Sequence, residues 1–549
     1  VSEPVVTNRK RLREGPWIAL SLVAGVVFLA NLGHLWPLAR LDLSEPSDRV
    51  VAEGRAALES LGFDVTGYSS AEWLRVDSPA LNYAERTFGR ETTQSWIGEG
   101  LPLYEYRVGF KRRGSATTMT VVLHPARGLL GWSVSVEDDE PGPRLAVDRA
   151  RQLALDAIEG PLALDAKGIE ERSVSSESLD DRTDHRFVYE RKIREQPELT
   201  ERIGVVVAGD RVVSARRALI VPPAARRAAR EAEAPGVALE TVGVALLALA
   251  ALGAFFVFLR HLRDGTARLG RALIWPAVVL VCMTAAATTD SSRLFRAWDP
   301  LWPVAISALR SFVFDGIGQI WILLVLLAVV AAGDALDRAG GSGRGTSLWL
   351  LARGRLLDPS VGRASGRGFL IGLICGGVMA LAVLALERVA GATTALQPRG
   401  FFFYPLNSDV PALTSLTFFW GVAMAEELGY RFFGGTWLLR LTRRGWVAIV
   451  VPAVVYGLTH TRLDFLPPAE PFWGRALVLT LVGCVWGWAF LRFDALTVVL
   501  SHFTADLFIF SWPRLASGET IQIAAAVATI CVPLLPALLW PLRRRAPAG

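Results

Sequence analysis

The stretch AMAEELGYRFFGG, Ala423–Gly435, places two adjacent glutamates and an arginine inside a segment that otherwise reads as membrane-buried helix. A charge at the centre of such a helix costs roughly 3 kcal/mol on insertion scales. Other polar groups must therefore meet these three inside a bundle of helices. The rest of the chain is of the same kind. Its 549 residues carry 52% hydrophobic side chains, and these fall in long blocks, the mark of a polytopic membrane protein. The net charge of +6 comes with arginines gathered in short connections between the blocks, which membrane topology explains and nucleic-acid binding does not. The four cysteines, Cys282, Cys375, Cys484 and Cys531, all lie in hydrophobic blocks. Neither a disulfide framework nor a thiolate zinc site is available to the large polar region.

Working outward, apolar runs occur near 17–38, 236–260, 270–288, 302–333, 367–388, 412–438, 444–460, 473–491, 495–511 and 520–541. The fold class is therefore an α-helical polytopic membrane protein of about ten spans. The first run is long and lacks a small-x-small cleavage site, so it is expected to be a retained anchor. Basic clusters precede the first span, at Arg9 to Arg13, and follow every second one: Arg260 to Arg271, Arg338 to Arg367, Arg440 to Arg444, Arg492, and Arg543 to Arg545. By the positive-inside rule both termini are cytoplasmic. The expected domains are 1–40, the cytoplasmic N-terminus and first anchor; 41–235, an extracytoplasmic domain; 236–364, transmembrane helices and a cytoplasmic loop; and 365–549, the membrane core that holds the charged motif.

The polar region reads as an α+β tandem repeat. SDRVVAEGRAALESLG (47–62) is echoed by PRLAVDRARQLALDAIEG (143–160), each with apolar residues at helical spacing and a closing glycine. YEYRVGFKR (104–112) and HRFVYERK (185–192) alternate like strands, and each precedes a β-branched hairpin candidate. The two halves are similar to the PepSY-type repeats attached to some bacterial membrane peptidases. Two roles stay open for them, a rigid spacer and a binding module for substrate or inhibitor.

The chemistry lies in the last third. Only His460 and His502 fall within the hydrophobic blocks that follow the diglutamate, and Asp506 sits four residues after His502. Glu427 and Arg431 are four apart with the acid first, the favourable order for an ion pair on one helix face. Glu426 is turned about 100° away and lacks that partner. The pair is accordingly assigned to structure and Glu426 to chemistry. Tyr456 sits one turn before His460, and Gly429, Gly434, Gly435 and Gly457 are expected to let the helices approach closely. A Glu/Arg pair in a membrane helix is often structural alone, and His502 with Asp506 alone reads as a satisfied buried pair. The ordered set together points to catalysis.

EELGYR resembles the EExxxR motif of the CPBP intramembrane proteases, which include the Rce-type CAAX prenyl endopeptidases (CAAX prenyl protease 2) and their Abi-like bacterial relatives. YGLTH is similar to that family's aromatic-xxx-His motif and HFTAD to its HxxxN/D motif, in the same order, across residues 365–541. The resemblance implies an intramembrane endopeptidase in which Glu426 activates water with help from His460. His502 and Asp506 then bind the oxyanion or contribute to a metal site. Prenyl-protease members carry asparagine at the position of Asp506. An ionised aspartate cannot donate to an oxyanion, so Asp506 either acts protonated, orients His502, or ligates a metal. Glu426, His460, His502 and Asp506 form a plausible donor set for zinc, so the resemblance leaves two cofactor states, none and Zn, while the absence of HExxH excludes the zincin arrangement. The expected partners are the lipid bilayer and a protein or peptide substrate, without nucleic acid, in a bacterial inner membrane. The competing class is a proton-coupled transporter, or a non-catalytic immunity or scaffold protein, using the same buried groups. Transporters usually carry repeats among their spans, and none is visible here.

Overall fold

The computed structural model describes residues 14–36, 47–125, 128–165, 167–194, 198–396, 408, 410–462 and 466–543. The basic residues Arg9, Lys10, Arg11, Arg13, Arg544 and Arg545, used above as topology markers, lie outside them.

Helix α1 (Glu14–Ala30) precedes the sheet domain, which contains α2 (Ser47–Ser60), β1 (Ser69–Val76), α3 (Ser78–Phe88), α4 (Arg90–Gly98), β2 (Tyr104–Lys111), β3 (Thr118–Leu123), β4 (Leu129–Val134), α5 (Val147–Glu159), β5 (Ile169–Ser178), β6 (Thr183–Arg194), β7 (Leu199–Ala208) and β8 (Arg211–Ile220). The strands form one antiparallel sheet in the order β1-β2-β3-β4-β8-β7-β6-β5. Two meanders thus meet edge to edge, with Trp132 of β4 opposite Ala215 of β8. The alternating runs read in the sequence are β2 and β6. Their apolar residues Val108, Phe110, Phe187 and Tyr189 join Leu58 of α2 and Ile158 of α5 in one buried cluster. The sheet therefore buries one face under two helices, as period-two alternation demands.

The membrane part comprises α6 (Pro223–Arg263), α7 (Ile274–Thr288), α8 (Val304–Gly340), α9 (Pro359–Ala390), α10 (Pro411–Glu427), α11 (Gly445–Thr459), α12 (Phe472–Arg492), α13 (Ala495–Phe510) and α14 (Thr520–Cys531). Among the described residues, six helical segments are long and apolar enough to cross a membrane: 223–263, 269–288, 304–340, 359–390, 472–492 and 520–541. The ten apolar runs of the sequence thus do not become ten such helices. Those at 15–30, 445–459 and 495–510 are shorter, and the run at 412–438 breaks after Glu427 into a π-helix, Leu428–Gly435. The 16 residues of α13 rise only about 24 Å, against roughly 30 Å of hydrocarbon. Hydropathy could not reveal that α13 is buried by protein along its length, from Ala495 to Ile509. A helix wrapped in protein need not match the bilayer. The tryptophans divide in the same way. Trp302 and Trp473, near the ends of apolar runs, are exposed, whereas Trp36, Trp298 and Trp512 are buried by protein.

The sheet domain seats on one end of this bundle. Lys111 donates to the carbonyls of Phe295 (2.9 Å) and Trp298 (2.6 Å), in the connection that leads into α8. The arginine-bearing connections gather at the other end of α8, where Arg271 and Arg338 converge on Asp334 at 3.3 and 3.0 Å. At the seam the Tyr104 hydroxyl donates to the Leu396 carbonyl, and the Leu396 N–H donates to Glu85 at 2.7 Å. Burial pushes the Glu85 carboxyl up from 4.5 to about 7, although that hydrogen bond and Arg90 both pull it down. A carboxyl raised on folding stabilises the folded state fully only below its unfolded value, and that contribution is lost as pH rises through the folded one. The seam should therefore weaken between pH 4.5 and about 7. Thermal unfolding across that window is expected to show the loss, and Glu85→Gln to flatten it. An unchanged slope in the variant refutes the assignment.

Candidate active site

The site forms where α10, its π-helical continuation, α11, α12 and α13 converge. A π-turn inside an α-helix rotates the following side chains relative to the preceding ones and is frequent at functional sites. Here it starts directly after the diglutamate. The Glu427 and Arg431 side chains still meet at 2.9 Å, almost fully enclosed, so the four-residue pairing expected from the sequence survives the change of helix type. Arg431 also donates to the Gly483 carbonyl at 3.2 Å, and its guanidinium lies about 5 Å from the ring centres of Tyr456 and Trp486. Aromatic faces and a carbonyl thus complete the surroundings of a cation that has no access to water.

Glu427 has a second partner that the sequence did not indicate. Its Oε1 accepts from His502 Nδ1 at 2.8 Å. His502 is sandwiched as well as bonded, because its ring stacks on Trp486 at 4.0 Å between centres, and Trp486 is tied to Ser501 through its indole N–H at 3.0 Å. The imidazole is thereby fixed, with Nε2 directed at Glu426 Oε2 (3.8 Å) and Asp506 Oδ2 (3.5 Å). Asp506, for which orienting His502 was one of three expectations, faces Nε2, and Glu427 holds the far nitrogen.

His460 lies at the C-terminal end of α11. Its Nδ1 is 2.7 Å from the Tyr456 carbonyl, which can only accept, so Nδ1 carries a hydrogen and Nε2 is the nitrogen turned to Glu426. That Nε2 stands 3.5 Å from Glu426 Oε1. Tyr456 packs against both imidazoles, with centres 4.2 Å from His460 and 6.1 Å from His502. Accessibility separates the two glutamates: the Glu426 side chain is 24% exposed and that of Glu427 is 0%. Among the described residues Glu426 Oε2 has no hydrogen-bond partner. The four polar residues proposed from sequence, Glu426, His460, His502 and Asp506, therefore come together. Among the described residues, however, no group of three or more His, Cys, Asp or Glu side chains is placed to hold a metal ion.

The close packing around the site comes partly from other glycines than those expected. A Cβ on Gly457 would stand 2.3 Å from the Ala476 carbonyl, so α11 and α12 touch there as anticipated, whereas one on Gly429 would meet nothing within 4 Å. Gly372 of α9, against Thr504 of α13, and Gly483, against Arg431, make the unforeseen approaches. Sequence reasoning also passed over Arg475. This buried arginine of α12 donates to the carbonyls of Thr461 (2.5 Å) and Leu466 (2.7 Å), and so pins the segment that follows His460. A signal was present, since an arginine within an apolar span is by default a functional candidate.

Residues 408–508 match the family model described as type II CAAX prenyl endopeptidase, Rce1-like. No match was found among the curated proteins or the solved structures. The matched segment contains all seven residues singled out above: Glu426, Glu427, Arg431, Tyr456, His460, His502 and Asp506. This segment, with its two acids, two imidazoles and enclosed arginine, is where the chain is similar to the type II CAAX prenyl endopeptidases of the Rce1-like kind.

Proposed function

We propose that this protein is an intramembrane endopeptidase that hydrolyses a peptide bond of a membrane-associated protein or peptide, with Glu426 and His460 activating water. The observation that carries this reading is the approach of His460 Nε2 to Glu426 Oε1 at 3.5 Å, which with a neutral imidazole makes the nitrogen and the carboxylate a pair of acceptors. Two acceptors at that spacing can each take one O–H of a single water and leave its oxygen lone pair free for a carbonyl carbon. Glu426 accepts the proton as the water oxygen attacks. The tetrahedral intermediate then collapses, the C–N bond breaks, and the proton passes to the leaving nitrogen. His502 and Asp506 stand on the other side of Glu426, where the oxyanion develops. With Nδ1–H given to Glu427, His502 donates from Nε2 only when doubly protonated, and a protonated Asp506 donates from its own oxygen. Proteomic comparison of membranes carrying the native protein with membranes carrying Glu426→Gln tests the reading. Substrates should accumulate uncut in the variant, and identical membrane proteomes count against it.

Because Glu427 already holds His502 Nδ1, Asp506 is assigned to the oxyanion side and not to orienting the ring. Asp506→Asn should then keep turnover within about tenfold of native, since the amide supplies a donor at the same reach. A larger loss, accompanied by inhibition with a zinc chelator and recovery with zinc, would restore the metal-ligand assignment.

The proposed setting is a bacterial inner membrane with both termini cytoplasmic, domain limits as stated above, and 41–235 as an extracytoplasmic PepSY-like duplication. Supporting the duplication are a helix before each meander and the mirrored strand order. Supporting the orientation is the gathering of arginines around Asp334, remote from the sheet domain. A cysteine introduced at Ser178, on the exposed edge strand β5, should label in intact cells. Labelling only after permeabilisation overturns the orientation.

A further inference from the structure

The two halves of the sheet domain differ at one place. β5 and β6 are joined by the short turn 179–182, whereas between β1 and β2 the chain inserts α3 and α4, residues 78–98. This insertion reaches the loops of the membrane core beside the contacts made by Tyr104 and Lys111 of β2. Arg86 pairs with Glu470, Arg90 donates to the Thr394 hydroxyl and carbonyl, and Glu85 accepts from the Leu396 N–H.

Between the insertion and those loops lies a cavity of about 390 Å³, within the usual range for ligand sites. Its floor includes Thr461 and Arg475. Thr461 directly follows His460, and Arg475 grips the Thr461 and Leu466 carbonyls. The floor of the cavity and the segment carrying the catalytic imidazole are thus one connected piece. The lining suits polar chain and not hydrocarbon, because four arginines and three glutamates face the space and an apolar tail there would strip them of water without replacement. Its charge leans positive. Arg90 spends its hydrogen bonds on neutral acceptors, and burial raises the Glu85 carboxyl to about 7, so that it carries only part of its charge at neutral pH.

We propose that this cavity binds a polar, acidic stretch of the polypeptide substrate on the sheet-domain side of the scissile bond, which makes the insertion 78–98 a substrate-selecting element. The inference rests on the endopeptidase reading for its purpose, but its test does not depend on turnover.

Two fluorescein-labelled nonapeptide mixtures serve as probes, one degenerate over Asp, Glu, Ser, Ala and Gly, the other over Lys, Arg, Ser, Ala and Gly. Anisotropy is read on the full-length protein in lipid nanodiscs. Native protein and Glu426→Gln are expected to bind the acidic mixture alike and to prefer it over the basic one. Asn82→Trp, which fills the cavity from the domain wall, and Ala469→Trp, which fills it from the core wall, should each weaken acidic binding by about tenfold or more through steric exclusion. Two variants on opposite walls guard against one of them misfolding. Absence of binding by native protein, equal binding of both mixtures, or undiminished binding in the folded tryptophan variants overturns the proposal. If the native protein binds in this pattern yet native and Glu426→Gln membranes have the same proteome, it is the hydrolase reading that fails and the binding site that stands.

Discussion

Purified Glu426→Gln is expected to lose peptidase turnover by about 10²- to 10⁴-fold, the range that a positioned general base contributes, while folding and inserting as the native protein does. The change keeps the volume of the side chain and removes only its ability to take a proton. Stability should be little affected, because Glu426 makes no short bond that the fold depends on: its nearest basic atoms are 3.5 and 3.8 Å away, and its Oε2 has no hydrogen-bond partner among the described residues. Two measurements are needed, turnover on a cleaved peptide and the thermal midpoint in detergent. Native-like turnover by the folded variant removes Glu426 from the mechanism.

The neighbouring acid should behave in the opposite way. Glu427→Gln is expected to destabilise the protein by about 3–5 kcal/mol, the usual result of removing one member of a buried ion pair. Arg431, 1% exposed, then remains in the bundle without its carboxylate. Activity should fall as well, since His502 Nδ1 loses its charged acceptor at 2.8 Å. A second substitution separates the two effects. Replacing the stranded arginine with a well-packed apolar residue, as in Glu427→Gln with Arg431→Met, should recover much of the stability. It should not recover turnover, because nothing in it restores the anchor of the imidazole. Recovery of both would make Glu427 purely structural, as its spacing from Arg431 alone suggested. Full stability in the single variant would mean that the pair contributes nothing.

The contrast between these two glutamates marks how far the sequence could be read. That Glu427 pairs with Arg431 follows from helical spacing, a relation between residues four apart, and it survives even the switch from α to π. The strands β2 and β6 were legible for the same reason, since burial of one sheet face writes a period of two into the chain. The ordered motifs around Glu426, His460 and His502 were legible because intramembrane acids and imidazoles are costly, and so stand out against an apolar background.

What the sequence by itself determined, then, is the helical membrane class of the fold, the strands and flanking helices it marked in the sheet domain, and the polar residues that gather in the bundle. Each of these is recorded in composition, in periodicity or in short spacing. Only the tertiary structure decided that Glu427 reaches His502, 75 residues further on; that Trp486 stacks on that ring; that Arg475 holds the segment after His460; and that the insertion 78–98 lies against the core beside Tyr104 and Lys111. Only it showed that α13 lies wholly inside protein, so that its length answers to its neighbours and not to the bilayer. Periodicity states which residues share a face. Which faces meet depends on the packing of many side chains at once, and no local pattern carries that information.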